Sequence, residues 1–154
     1  MINKEKKALQ RSVIQILQRL PLFSGLVDDE YKLLTNVCHL IELPRHKVLF
    51  HANEPGHEIF LLLNGRIEVK SAHSGCLGTI NPGEVVGEMS VVRNAPRSAM
   101  ATAIEDSLLF RINQADLDIL LGKSPRVSYL IMKNIARELA ERLATSNEHH
   151  ITPK

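Results

Sequence analysis

The sequence predicts a mainly β protein: an eight-stranded antiparallel jelly roll (β-roll) with N-terminal helices and a long C-terminal helix. Short apolar runs broken by Gly, Pro, Asn and Asp fill the region from Ile41 to Ile112, as in all-β folds. Apolar residues at helical spacing precede and follow this region. A length of 154 residues with 44% apolar residues suits one domain with a sizeable core. We therefore expect residues 1–154 to form a single domain.

The N-terminal part, residues 1–39, is expected to hold two helices. Apolar residues recur at helical spacing between Lys6 and Leu20, and Pro21 stops this run. After a turn, Asp28 or Asp29 is expected to cap a second helix.

The β-roll is expected over residues 40–112. Its clearest hairpin joins Ile59–Leu63 to Arg66–Lys70, because Asn64-Gly65 tolerates the positive φ angles of a two-residue turn. Turns of this kind also account for further glycines, since glycine adopts a positive φ without steric cost. The glycines interpreted in this way are Gly56, Gly65 and Gly83.

The C-terminal helices are expected over residues 113–146, and residues 147–154 form a polar tail that is expected to be frayed. The first helix covers Asn113–Leu121 and the second Pro125–Thr145, with proline acceptable in the first turn. The second helix carries a broad apolar stripe, which fits packing on the roll, pairing with a second subunit, or both. Its members are Val127, Leu130, Ile131, Ile135, Leu139 and Leu143, widened by Met132, Ala136 and Ala140.

Composition gives no support for a nucleic acid or membrane partner. The chain has 19 basic and 17 acidic residues, a formal net charge of +2. No apolar run approaches the roughly 20 residues that span a bilayer. The charged N-terminus is not followed by the apolar block of a secretion signal. A cytoplasmic protein is therefore expected, with Cys38 and Cys76 reduced because they lack paired spacing.

The sequence has no pattern typical of a metal site or a catalytic nucleophile. Its internal histidines have no helical i, i+4 partner and are not accompanied by a metal-type pattern of cysteines or carboxylates. These histidines are His39, His46, His51, His57 and His73. No serine, cysteine or lysine stands in a nucleophile motif. We therefore expect neither a metal, a cofactor nor an enzymatic activity.

Residues 83–99 are the most informative segment. Gly87 lets the backbone approach a ligand, and Glu88 opens a short helix whose free N–H groups favour an anion. The Arg97 guanidinium can make two charge-assisted hydrogen bonds to phosphate oxygens, with Ser98 as a polar neighbour. A carboxylate repels phosphate but accepts from a sugar hydroxyl. The segment therefore predicts a site for a ribose fused to a phosphate, although a structural Glu88–Arg97 salt bridge is the competing explanation.

This segment closely resembles the phosphate-binding cassette of cyclic-nucleotide-binding domains, the family that includes the catabolite activator protein and the regulatory subunits of cyclic-AMP-dependent kinase. The resemblance extends over roughly 125 residues and follows several ordered signatures. They are Pro21–Leu26, Glu54-Pro55-Gly56, Leu63–Arg66, Pro82-Gly83-Glu84, Gly87–Ser90 and Pro96–Ala99.

The resemblance implies a role for each cassette residue. Glu88 matches the acid that holds the ribose 2′-hydroxyl, Arg97 the arginine that neutralises the cyclic phosphate, and Ser98 its small polar neighbour. Two residues depart from the usual pattern: Val86 replaces an aromatic residue, and Ser90 replaces a common alanine. The expected ligand-binding residues are Val86, Gly87, Glu88, Met89, Ser90, Arg97, Ser98 and Ala99.

The function implied is a receptor that binds cyclic AMP or cyclic GMP reversibly, with cyclic AMP slightly favoured, and signals through its C-terminal helix. The resemblance also implies a possible homodimer through that helix and a downstream protein partner. Only nine residues follow Thr145, so no helix-turn-helix for DNA is expected. The alternatives are a degenerate roll that serves as a protein-interaction module and a fragment of a larger nucleotide-gated regulator. Under the receptor hypothesis, Arg97→Ala removes nucleotide binding and leaves the fold intact.

Overall fold

The structure is a computed structural model that describes residues 2–151. It contains eight strands in two antiparallel sheets, with helices before and after them, so the predicted fold class is confirmed. The helices are α1 (Ile2–Gln18), a 3-10 helix (Pro21–Phe23), α2 (Asp28–Thr35), α3 (Glu88–Arg93), α4 (Gln114–Lys123) and α5 (Pro125–Ile151). The strands are β1 (Cys38–Leu43), β2 (Val48–Phe50), β3 (Glu58–Asn64), β4 (Ile67–Ser71), β5 (Gly75–Ile80), β6 (Val85–Val86), β7 (Met100–Ala103) and β8 (Ser107–Asn113).

The chain divides into two compact units. One is helical and combines the residues up to Leu33 with those from Leu121 onward, and the other, Leu34–Leu120, contains both sheets. Helix α5 continues to Ile151, beyond the predicted end near residue 146, so the expected tail is helical as far as it is described. Positions 152–154 lie outside the described residues. No helix in the described part of the chain is long and apolar enough to cross a bilayer.

Polar side chains join the two ends of the chain within the helical unit. The buried amide of Asn134 in α5 donates to the carbonyl of Leu22 at 2.9 Å and to that of Ser24 at 3.1 Å. Arg126 donates to the carbonyl of Gly25 at 2.9 Å and pairs with Glu30 at 3.3 Å. Because Asn134 and Glu30 are both buried, these interactions fix the 3-10 helix and its following turn against α5.

The start of α2 differs from the prediction that Asp28 or Asp29 caps it. The helix already begins at Asp28, and the Glu30 carboxylate accepts a hydrogen bond from the backbone N–H of Val27 at 2.9 Å. This contact is one half of a capping box, in which an acid in the first turn reaches back to the residue before the helix.

The two sheets of the roll enclose an apolar core. Their strand orders are β1-β8-β3-β6 and β2-β7-β4-β5. Both sheets supply buried side chains to this core, as expected for sheets packed face to face. The core residues are Phe50, Phe60, Leu62, Ile67, Val86, Ala101, Ala103 and Leu109.

The predicted hairpin at Asn64-Gly65 is wrong. Strand β3 pairs with β6 and β8, whereas β4 pairs with β5 and β7, so the chain passes from one sheet to the other at this turn. Gly65 does have the expected positive φ of 97°. However, its neighbour Arg66 is held by the β7–β8 turn instead of by a β3 partner: its N–H donates to Ser107 Oγ, and its carbonyl accepts from Ile104. Asn64 does not have a positive φ and still belongs to β3, so only the glycine behaves as predicted, and the pairing inferred from this turn is wrong.

The two cysteines are free, and they differ in exposure. Cys76 is exposed, whereas Cys38 is buried, and burial raises the pKa of the Cys38 thiol to about 12. Since the thiolate is the reactive form, a disulfide reagent at pH 8 should modify Cys76 rapidly and Cys38 only after unfolding. Counting reactive thiols in native and urea-denatured protein tests this expectation. Two rapidly reacting thiols in the native protein would contradict the burial of Cys38.

Candidate functional site

The predicted strand, turn and helix of the cassette are present at the end of β6. Strand β6 ends at Val86, Gly87 adopts a left-handed conformation with φ 90° and ψ 2°, and α3 begins at Glu88. A Cβ at Gly87 would lie 2.5 Å from Arg97 Nη1 and 3.2 Å from the Glu58 carbonyl oxygen. Glycine is therefore required here both for its positive φ and for the room it leaves beside the arginine.

Arg97 is the centre of this site, and only 4% of its surface is exposed. Its Nη1 donates to the carbonyl of Gly87 at 2.8 Å, and its Nη2 donates to the carbonyl of Glu58 at 2.7 Å. The guanidinium carbon lies 4.3 Å from the ring centre of Phe50 and 5.8 Å from that of Phe60, within the range of cation–π attraction. These contacts join the cassette to β2 and β3.

The backbone of Arg97 is fixed as well as its side chain. Its N–H donates to the carbonyl of Glu54, and its carbonyl accepts from the N–H of Asn53, both at 2.8 Å. The segment before β3 and the segment before β7 are thus paired through their main chains. This pairing sets the point from which the arginine side chain enters the core.

Burial and neighbouring charges shift the pKa of the Arg97 guanidinium in opposite directions. Desolvation lowers the pKa of Arg97, and the carboxylates of Glu58, Glu54 and Glu88 favour its charged form. An arginine side chain keeps its proton in proteins. The site therefore holds a positive charge beneath its surface.

The structure brings together four of the predicted site residues: Gly87, Glu88, Ser90 and Arg97. Glu88 is half-buried as the first residue of α3, within electrostatic range of the guanidinium. Ser90 is buried in the middle of the same helix. The main chain of Met89 also lies in α3, and its side chain lies outside what the structure describes.

The remaining predicted site residues, Val86, Ser98 and Ala99, are not part of this group of four. The Val86 side chain belongs to the apolar core of the roll. Ser98 is exposed and Ala99 is buried as the chain enters β7. Of these three, only Ser98 is exposed, and the side chains of Val86 and Ala99 are buried.

Sequence reasoning missed three contributors to the site. The Glu58 carbonyl gives no sequence signal, because any residue has one. Phe50 offered a weak signal as one of only four phenylalanines in the chain. Gly56 was interpreted as a turn glycine with positive φ, which is wrong: Gly65 and Gly83 have positive φ, but Gly56 does not. Gly56 is buried against Ser90 and Arg97, where a side chain has no room.

Open cavities lie in the sheet-containing unit. One of about 220 Å³ borders the cassette loops. It is lined by Asn53, Pro55, Gly56, His57, Asn94, Ala95 and Pro96. A larger one has a volume of about 460 Å³, and neither cavity is lined by any of the predicted ligand-binding residues. Within residues 2–151 no group of three or more histidine, cysteine or acidic side chains is arranged to hold a metal ion.

The fold and the cassette together define a β-roll with a buried arginine behind a strand-to-helix turn. Residues 40–124 match the family described as the cyclic nucleotide-binding domain, and the chain belongs to that family.

Known relatives agree with this assignment. The chain is 31% identical over 125 residues to the cyclic AMP receptor protein of Thermus thermophilus, a match that covers 79% of this chain and 58% of that protein. The N-terminal domain of a transcriptional regulator from Streptomyces coelicolor A3(2) is 28% identical, with a TM-score of 0.69 over 82% of this chain and 94% of that one. A cyclic nucleotide-binding domain from Methylobacillus flagellatus KT shares the fold, with a TM-score of 0.77, 22% identity and coverage of 92% and 82%.

The burial of Arg97 changes the expected effect of removing it. Arg97→Ala should destabilise the fold, because two carbonyl oxygens lose their donors, at a cost of about 1–3 kcal/mol for each buried group left unsatisfied. We expect the free energy of unfolding, measured by urea denaturation, to fall by about 2 kcal/mol or more. The exposed Arg93 is a matched control, since surface substitutions usually change stability by less than about 0.5 kcal/mol. Equal stability of the two variants would contradict the structural role of Arg97.

Proposed function

We propose that the chain is a cytoplasmic receptor module for a 3′,5′-cyclic mononucleotide, with cyclic AMP favoured over cyclic GMP, and that it binds this ligand without altering it. The observation that carries the proposal is the buried, positively charged Arg97 beside Gly87 and Glu88. A guanidinium complements a phosphate, and a carboxylate complements a ribose hydroxyl. A ligand that joins both groups in one ring suits this arrangement.

The preference for cyclic AMP rests on the relatives. The Thermus thermophilus protein is a cyclic AMP receptor, and this chain spans 58% of its length. The ligand is carried over from that relative as part of the proposal. The part of that relative that lies outside the match is not carried over to this chain.

We propose further that nucleotide binding is signalled through α5 as a population shift. A ligand moves an equilibrium between two arrangements only by the difference between its affinities for them. Here α5 would be the element that differs between the arrangements. The polar contacts of Asn134 and Arg126 would make the N-terminal helical segment move together with α5.

A second copy of the chain is the proposed partner of the exposed face of α5. Apolar side chains on this face recur at alternating spacings of three and four, as in a coiled-coil seam. The seam consists of Tyr129, Met132, Ala136, Leu139 and Leu143, all of them exposed. It lies on the opposite side of the helix from the buried residues Val127, Ile131 and Asn134. In a monomer this apolar seam stays exposed to water, which is unfavourable. Pairing with the same seam of a second copy of the chain would bury it.

The alternative function is a protein-interaction module that no longer responds to nucleotide. The same exposed seam on α5 favours it, since an interaction surface needs no ligand site. The two functions differ in whether any cyclic nucleotide stabilises the fold.

Thermal unfolding with cyclic AMP, cyclic GMP, a cyclic dinucleotide and 5′-AMP tests the receptor function. A ligand at about 100 times its Kd stabilises the native state by about 2.7 kcal/mol. At about 2–4 °C per kcal/mol for a chain of this size, we expect Tm to rise by about 5–11 °C with a 3′,5′-cyclic mononucleotide and to stay unchanged with 5′-AMP. Arg97→Lys keeps a positive charge but loses the planar fork, so it should reduce this shift strongly. No shift with any nucleotide would favour the interaction module.

Light scattering after size exclusion tests the homodimer. Leu139→Glu places a charge in the middle of the seam and should convert dimer into monomer, because burying unpaired charges is costly. Leu77→Glu is the matched control, since Leu77 is also an exposed leucine but lies on β5. A wild-type chain that is already monomeric at high concentration would overturn the proposal.

A further inference from the structure

Strand β1 is an edge strand with no irregularity along its length. It stands at one end of the sheet β1-β8-β3-β6 and pairs with β8 over all six of its residues without a shift in register. Within residues 2–151 no strand pairs with its other side. Every second N–H and C=O of such an edge points away from the sheet and can accept a further strand.

The other three edge strands carry features that hinder pairing with an added strand. Strand β6 has only two residues, and β2 has three, with a shift in register against β7. Strand β5 has a register shift against β4 and contains Gly75 and Gly78, both with positive φ. Short strands and bulges protect an edge from pairing. Strand β1 has neither, so it is the edge best suited to accept an extended segment.

The C-terminal end of β1 borders the open groove of about 460 Å³. Glu42 of β1 lies opposite Leu108 of β8, and Leu108 lies opposite Asn64 of β3. Because paired residues share a face, these three side chains form one row on one face of the sheet. The other residues that line the groove are Leu43, Pro44, Asp106 and Ser107.

The charged side chains that line this groove are both acidic, Glu42 and Asp106. The backbone N–H of Arg45 donates to Asp106 Oδ1 at 2.8 Å and thereby fixes this carboxylate. No basic side chain is among the described residues of the lining, and its leucines and proline are apolar. The groove therefore complements a cationic side chain with an aliphatic stem.

Leu40 lies on the same face of β1, two residues before Glu42. It is 52% exposed, whereas Phe110, which lies opposite it on β8, is fully buried. An added strand would place alternate side chains on this face, one beside Glu42 and the next beside Leu40.

We infer that β1 binds an extended peptide segment of a partner protein, paired antiparallel, with a basic side chain beside Glu42 and an apolar side chain beside Leu40. Main-chain hydrogen bonds to the edge give such a complex affinity, and the alternate side chains give it specificity. Read along the partner, a basic residue is followed two positions later by an apolar residue.

This peptide site is separate from the cassette. Glu58, whose carbonyl binds Arg97, begins β3, and Asn64, which lines the groove, ends it. At about 3.3 Å per residue the two ends are about 20 Å apart. The inference is therefore independent of nucleotide binding.

A second copy of β1 is the competing occupant of the edge. The sequence of β1, Cys-His-Leu-Ile-Glu-Leu, contains no lysine or arginine. Pairing of two copies through this strand would therefore leave the carboxylates of Glu42 and Asp106 without such a cation, which favours a basic partner segment.

Fluorescence anisotropy of the full chain with a labelled synthetic peptide, Thr-Arg-Val-Leu-Val-Thr, tests the inference. Paired antiparallel, this peptide places its arginine opposite Glu42 and its leucine opposite Leu40. We expect it to bind, and we expect a glutamate in place of its arginine to lower the affinity about tenfold, because attraction becomes repulsion. No binding of the arginine peptide, or equal binding of both peptides, would overturn the inference.

Two further peptides, N-methylated at one or the other set of alternate amides, test the strand pairing. The set that faces the edge loses its hydrogen bonds, so one peptide should fail to bind while the other still binds. Amide hydrogen exchange of Cys38–Leu43 should slow when the unmodified peptide is bound. Equal binding of the two methylated peptides, or protection only outside β1, would contradict pairing with this edge.

Charge reversal in the protein tests the groove. Glu42→Lys should weaken binding of the arginine peptide about fivefold and strengthen that of the glutamate peptide by a similar factor. Asp118→Lys, at an exposed acid on α4, is the matched control and should leave the ratio of the two affinities unchanged. The same change of affinity for both peptides in Glu42→Lys would overturn the groove assignment. A wild-type dimer that Glu42→Lys converts into monomer would assign the edge to a second copy instead.

Discussion

The burial of the Arg97 guanidinium is the interaction on which the cassette depends. One side chain holds the carbonyl at the start of β3 and the carbonyl at the turn before α3, and it covers two aromatic rings of the core. Removing a charge from water is costly, so such an arrangement persists only when hydrogen bonds and nearby carboxylates offset the cost. The positions of the cassette and of two core rings therefore depend on the same side chain.

This double role explains the residues around the arginine. Gly87 and Gly56 are glycines because the guanidinium and its neighbours occupy the space where their side chains would stand. Phe50 and Phe60 present ring faces to the cation, while their rings belong to the core of the roll. The arginine is thus packed as part of the core of the roll.

Much of the fold was predictable from sequence, and the failures in strand pairing and in the site share one cause. Periodicity and turn residues gave the fold class, the helices and the cassette, because these depend on neighbours along the chain. The hairpin at Asn64-Gly65 was wrong, because the partner of a strand is decided by contacts distant in sequence. Gly56 and the Glu58 carbonyl were missed for the same reason, since their importance comes from Arg97, about 40 positions later in the chain.

The joining of the two chain ends in the helical unit also bears on how the protein folds. Asn134 and Leu22, which share a buried hydrogen bond, are 112 residues apart. Closing so long a loop is entropically costly until the intervening chain is compact, and contacts of this separation slow folding. The 3-10 helix is therefore expected to dock on α5 late in folding, after most of the intervening chain has become compact.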